Sequence, residues 1–134
     1  MPPFVSPQHP GRTRVLCVAR SSSVYAALRS SFDHCNLEVL IALTPESAMA
    51  VCVDQVVAAA IVDCESIRDQ EWSIIRSLKL VRPSLPIILL EARKHTRLEI
   101  MPPGVDAVVR FDHLNNLLTT LRDVLNCQSS SEQA

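Results

Sequence analysis

Apolar residues along the chain fall into short blocks that alternate between two periods. Arg14-Val-Leu-Cys-Val-Ala19 is rich in strand formers and reads as a buried strand. Ser21-Ser-Ser then supplies a helix N-cap, and Val24, Ala27, Leu28 and Ser31 recur at the spacing of one helix face. Leu37 to Leu43 predicts a second strand. Thr44-Pro45 joins an N-cap to a first-turn proline and opens a second helix, with Ala48, Val51 and Cys52 on its inner face. Val56 to Val62 is a third strand, small and apolar throughout. A strand without polar alternation is covered on both faces, which requires a parallel sheet between two helical layers.

The second half repeats the alternation. Gln70 to Val81 predicts a helix with Trp72, Ile75 and Leu78-Lys79 along its stripe, stopped at Arg82-Pro83. Leu85 to Leu90 is a fourth strand. His95 to Met101 is a short helix ended by Pro102-Pro103-Gly104, and Ala107 to Val109 is a brief fifth strand. Leu114 to Asn126 is the last helix, with Leu114, Leu117, Leu118, Leu121 and Leu125 on one side. Strands alternating with helices imply βαβ units and right-handed crossovers. The expected fold is α/β, a doubly wound five-stranded parallel sheet with helices on both faces. It occupies residues 13–127. A proline-rich disordered tail precedes it at 1–12, and a second disordered tail follows at 128–134.

Composition narrows the function classes. The 134 residues suit one domain, long enough to bury a core without disulfides or metal staples. Thirteen Lys+Arg against 14 Asp+Glu leave a net charge of -1, which argues against a general nucleic-acid or membrane-surface binder. Arg93-Lys94-His95 is a single short basic run, and no helix carries a basic stripe. No apolar run approaches the roughly 18–20 residues of a membrane span. The N-terminus lacks the apolar region of a signal peptide, so the chain is expected in the cytoplasm. The five cysteines (Cys17, Cys35, Cys52, Cys64 and Cys127) and four histidines are scattered, without zinc-ligand spacing. Cys17 and Cys52 lie in apolar stretches and read as buried small hydrophobes. Gly11 and Gly104 are the only glycines, which excludes glycine-rich phosphate loops and dinucleotide fingerprints. An independent enzyme would have to recruit a group such as Cys64, and neither a His nor a helix N-terminus is evident beside it to lower its pKa. The chain is therefore not expected to be an enzyme.

In open α/β sheets, sites gather at the carboxyl ends of the strands. Those ends carry Ala19-Arg20, Leu43-Thr44, Asp63-Cys64, Glu91 and Arg110. Asp63 stands out, because a carboxylate closing an apolar strand is costly unless it has a task or a partner. Arg20, Glu91 and Arg110 end other strands, from which they can converge on it. Val57-Ala-Ala-Ala-Ile-Val-Asp63, Arg82-Pro-Ser-Leu-Pro-Ile-Ile-Leu-Leu90 and Val105-Asp-Ala-Val-Val-Arg110 together resemble the receiver (CheY-like) domain of two-component response regulators. The likeness spans about residues 13–127.

This resemblance implies that Asp63 stands at the position that accepts a phosphoryl group from a histidine kinase. Several partners have changed. The acidic pair that helps receivers bind Mg²⁺ is replaced by Ala19 and Arg20. The Thr or Ser ending the fourth strand is Glu91. The Lys of the fifth strand is Arg110, which keeps the charge on a wider planar fork. The proline after it is Phe111, and Ala107 takes the place of an aromatic switch residue. Ile67 and Glu71 stand where the following loop often carries Pro and Gly. The stretch from Glu91 to Arg110 is shorter than in receivers, so a clipped fourth helix and a remodelled output face are expected.

Mg²⁺ prefers octahedral oxygen ligands supplied largely by carboxylates. With Arg20 where the metal would sit, Mg²⁺ is expected to bind weakly at best, and no other cofactor is expected. Asp63 and Glu91 balance Arg20 and Arg110, an arrangement expected to form a self-neutralised ion-pair cluster. The resemblance thus implies an atypical receiver, or pseudo-receiver, of a two-component phosphorelay. It would act by contact with a signalling protein, either a histidine kinase or an output protein, and not through nucleic acid or membrane. The alternative is a working single-domain response regulator phosphorylated on Asp63. The chain stops about eight residues after the expected last helix, so output is expected through another protein. By resemblance, a weak homodimer is compatible with this reading.

Overall fold

Each apolar block expected as a strand takes its place in one sheet: β1 (Thr13–Val18), β2 (Leu37–Ala42), β3 (Ala59–Asp63), β4 (Ile87–Glu91) and β5 (Ala107–Arg110). The structure is a computed structural model that describes residues 13–19, 22–33, 35–63, 73–91, 104–110 and 114–133. Among these, the helices are α1 (Ser22–Phe32), α2 (Pro45–Asp54), α3 (Ser73–Val81) and α4 (Leu114–Gln133). All strand pairs are parallel, in the order β2-β1-β3-β4-β5.

The two faces of the sheet have separate cores, divided by the period of two along each strand. On one face Leu16, Val18, Ala60, Val62, Ile87 and Leu89 pack with α2 and α3 through residues such as Val51, Cys52, Ile75 and Leu78. On the other, Val15, Cys17, Ala59, Ile61, Ile88 and Leu90 pack with α1 and α4 through Val24, Leu28, Phe32, Leu117 and Leu121. The double covering explains why β3 is apolar almost throughout. Local chemistry sets the start of α2. The Ser47 N–H donates to Thr44 Oγ1 at 3.1 Å, and the Thr44 N–H donates to Ser47 Oγ at 3.2 Å, closing a reciprocal capping box.

Several boundaries differ from the sequence expectation: β1 runs one residue earlier at both ends, β2 ends at Ala42 and β4 begins at Ile87. β3 begins at Ala59 instead of Val56, and Val56 is 74% exposed. The reason is tertiary. The Arg82 guanidinium donates to Gln55 O at 2.9 Å and to Val57 O at 3.5 Å, so the backbone before β3 is held as a connection. The last helix continues past Asn126 to Gln133, through most of the stretch expected as a disordered tail from 128. Residues 127–133 contain neither Pro nor Gly, and nothing in them forces a helix to stop. Finally, β5 gains Arg110 and β4 gains Glu91, which brings both into strand pairing. The short helix expected over His95–Met101, the first turn of the helix from Gln70 including Trp72, and the segment 1–12 lie outside the described residues.

Candidate functional site

The chain leaves β1 for β2 on one side and then returns to place β3 on the other. The connections diverge at this point, and open α/β sheets place their crevice there, beyond the carboxyl ends of the strands. Ala19 and Asp63 close that crevice. The β1/β3 register ends at Val18 opposite Val62, so the next residues, Ala19 and Asp63, come level with each other. The Ala19 N–H donates to Ala42 O at 3.2 Å, which prolongs β1 by one bond toward β2. Ala19 is fully buried and Asp63 is 2% exposed.

Alternation puts Cys17, Ala19 and Asp63 on the face that packs with α1 and α4. The electrostatics follow from this placement. Burial, and after it the negative charge of Asp63, push the Cys17 thiol up to about 12. Tyr25 of α1 is also pushed up to about 12, by burial first and then by Cys17, against a lowering by Arg29. Among the described residues, its buried hydroxyl has no hydrogen-bond partner. Burial likewise raises the Cys52 thiol. Cys17 and Cys52 are thus protonated, packed thiols, as the sequence implied, and neither has the electropositive, accessible setting of a reactive cysteine.

The other expected site residues come from the next two strands. Asp63 pairs in register with Leu90, while Glu91 pairs with Arg110 one residue further out. With strands about 4.8 Å apart, the β3 and β5 backbones are separated by roughly 10 Å, and the residue of β5 level with Asp63 is Val109, one before Arg110. Asp63 and Arg110 both have interactions within the fold. Arg110 is exposed and lines a cleft of about 360 Å³ with Val108, Val109 and, from α4, Asn116, Thr119 and Thr120. Those three α4 residues escaped the sequence reading. Their only signal was that they are the polar residues between the leucines of the last helix. Ala107, at the switch position, is half-buried at the start of β5. Arg20, Phe111 and the Glu91 side chain lie outside the described residues, and so does the four-charge cluster expected from the sequence, which depends on them.

Among the described side chains at the switch point, Mg²⁺ would meet one carboxylate, Asp63, beside the methyl of Ala19. That donor set does not fit an ion that seeks an oxygen octahedron and is usually held by carboxylates.

The fold is that of the CheY-like receiver domains of response regulators. A CheY-like receiver domain protein from Methanospirillum hungatei matches with a TM-score of 0.74 at 17% identity, over 90% of this chain and 99% of that one. The signal receiver domain of an HD domain-containing protein from Pseudomonas fluorescens matches with a TM-score of 0.78 at 16% identity, over 98% of both chains. A third similar structure represents a family of redox sensors in the streptococci that evolved from two-component response regulators. Its TM-score is 0.74 at 12% identity, over 90% of this chain and 54% of that one. No family model matches the chain, and no curated protein matches it in sequence. Among the described residues, no helix is long and apolar enough to cross a membrane.

Proposed function

We propose that the chain is a receiver-type domain of a two-component phosphorelay that works by protein–protein contact, with Mg²⁺-dependent phosphorylation impaired. The observation that carries this reading is the burial of Asp63 and Ala19 at the switch point, each one residue beyond the last β1/β3 pair, Val18 and Val62. The phosphoacceptor position keeps its carboxylate, and the strand end beside it offers a methyl group where a metal-binding acid would be needed. Phosphoryl transfer to a carboxylate brings two anions together and depends on nearby positive charge to neutralise them. Without a metal, Arg110 and Arg20 are the cations left for that task, and in the proposed cluster they are already paired with Asp63 and Glu91. The domain then signals from a fixed conformation, or from one set by its partner.

The partner is a signalling protein of the same pathway, a histidine kinase or an output protein. The chain is not an enzyme in its own right, needs no cofactor and acts in the cytoplasm, with at most weak self-association. One feature favours the second reading, a working response regulator phosphorylated on Asp63. Arg110 holds the place of the conserved-charge Lys in receivers and opens onto a cleft.

Intact-mass spectrometry after incubation with acetyl phosphate, with and without Mg²⁺, separates the two, with Asp63→Asn as the control. The expected result is no phosphate-sized gain in either condition. A gain that disappears in Asp63→Asn overturns the proposal and makes the chain a working phosphoreceiver.

A further inference from the structure

The two edges of the sheet are built differently. β5 is an edge of four residues that ends on the charge of Arg110. β2, at the other edge, runs for six residues as Leu-Glu-Val-Leu-Ile-Ala. It holds no Pro, Gly or Lys, and Pro and Lys are common guards of an exposed edge. Its one charge is Glu38, whose side chain is 12% exposed and whose Oε1 lies 3.9 Å from Arg14 Nε on β1. The carboxylate is drawn toward the neighbouring strand and does not guard the edge.

Register decides which backbone groups face outward. The Thr13 N–H donates to Asn36 O at 3.3 Å, and the Ala19 N–H donates to Ala42 O at 3.2 Å. Between them, Thr13–Val18 and Leu37–Ala42 pair in parallel, which spaces the bonds evenly at every second residue. Glu38, Leu40 and Ala42 thus turn their N–H and C=O toward β1. Leu37, Val39 and Ile41 turn theirs away from it, and among the described residues no strand pairs with that side. Ile41 is 39% exposed, and Leu43, just past the strand, is 57% exposed.

We propose that β2 pairs antiparallel with β2 of a second copy of this chain, about a two-fold axis at Val39, and joins the two sheets edge to edge. A second copy fits because this edge is complementary to itself. Leu37 of each copy meets Ile41 of the other, and the two Val39 residues meet on the axis. All of these residues already point their N–H and C=O outward, as the hydrogen-bonded pairs of an antiparallel ladder require. Glu38 then lies opposite Leu40, so no like charges face each other. Moving the axis to Glu38 would set the two carboxylates against one another. Moving it to Leu40 would pair Leu37 with Leu43, beyond the end of β2 at Ala42. A contact one strand wide is small beside the roughly 1,200–2,000 Å² of a standard interface, so the dimer is weak. It forms at the edge of the sheet away from Arg110 and needs no phosphoryl group on Asp63.

Sedimentation equilibrium of the full chain, raised stepwise to about 1 mM, tests this. The mean mass should climb toward twice that of the monomer. Hydrogen exchange over the same range should slow at the Leu37, Val39 and Ile41 amides in step with the dimer fraction. Val39→Pro removes an outward N–H that the ladder to β1 does not use, and Ile41→Lys places a charge on the edge. Both variants should stay at the monomer mass throughout. Ile41 is at the surface, so Ile41→Lys keeps the fold even where Val39→Pro loosens it. A parent chain that remains monomeric overturns the proposal. So does a dimer that survives Ile41→Lys and Val39→Pro, because its contact is then elsewhere. Protection of the three amides that does not change with concentration also overturns it, because the edge is then covered from within the same chain.

Discussion

Asp63 and Cys17 show what a single side chain contributes and what its neighbour does to it. Asp63 was legible in the sequence, because a carboxylate closing an apolar run has few bland explanations. Its coupling to Cys17 was not, because that depends on the pleat and register of β1 and β3, which bring two residues distant in sequence to the same face. Burial of Cys17, with the Asp63 charge added to it, has a measurable consequence. An unfolded Cys titrates near 9, whereas the folded Cys17 thiol holds its proton to about 12. Above pH 9 the unfolded chain releases this proton and the folded chain keeps it, so the contribution to stability is fully present below pH 9 and is lost as pH rises toward 12. Urea unfolding should therefore show stability falling above pH 9, by up to about 1.4 kcal/mol per pH unit from this thiol. Cys17→Ala should reduce that slope. Tyr25 and Cys52, also raised by burial, leave a remainder of the same sign. An unchanged slope in Cys17→Ala would show that the unfolded and folded thiols titrate alike.

Elements were read well wherever their period was long and their caps local. The capping box at Thr44 and Ser47 and the helical spacing of Val24 and Leu28 are both written in neighbouring residues. Gly104, expected to break the preceding segment, has a φ of +91°, a conformation in which a side chain is strained. What sequence could not supply were the ties between elements. Asp106, just before β5, accepts from the Ile87 N–H at 2.8 Å and from Lys79 Nζ at 3.3 Å, and Lys79 Nζ also donates to Leu85 O at 2.6 Å. One carboxylate thus pins the starts of β4 and β5 to the end of α3. Asp106→Ala should cost about 1–3 kcal/mol in urea unfolding, since it leaves a strand N–H without its charged acceptor. Lys79→Met should cost less, because the ion pair is half-exposed and such pairs are worth about 0–1 kcal/mol. Equal losses in the two variants would mean that the ion pair, and not the backbone bond, carries the tie. The late start of β3 belongs to the same class, since the arginine that holds Val57 comes from beyond α3.

At the scale of the whole molecule, the strand order creates the switch point and therefore the site. Receiver-type chemistry needs acidic and basic side chains from several strand ends to meet there. The proposed cluster trades the metal for arginine, which makes Arg20 the pivotal substitution. Arg20→Asp should return an acid to the end of β1 beside Asp63 and restore Mg²⁺ binding, seen as metal-dependent shift changes in amide spectra around Asp63. If Arg20→Asp shows no response to Mg²⁺, charge replacement at this strand end is not what excludes the metal.

The sequence by itself determined the parallel α/β architecture, the two covered faces of the sheet, the start of α2 and the strand-end position of Asp63. All of these follow from periodicity and capping, which act over a few neighbouring residues. Tertiary structure alone decided where β3 begins, that Cys17 shares a face with Asp63, that Arg110 opens onto a cleft with α4, and that β2 stands at the edge of the sheet. Those features depend on register and packing between segments far apart in sequence, and pairing energies across strands and helices are not encoded in the local pattern of any one of them.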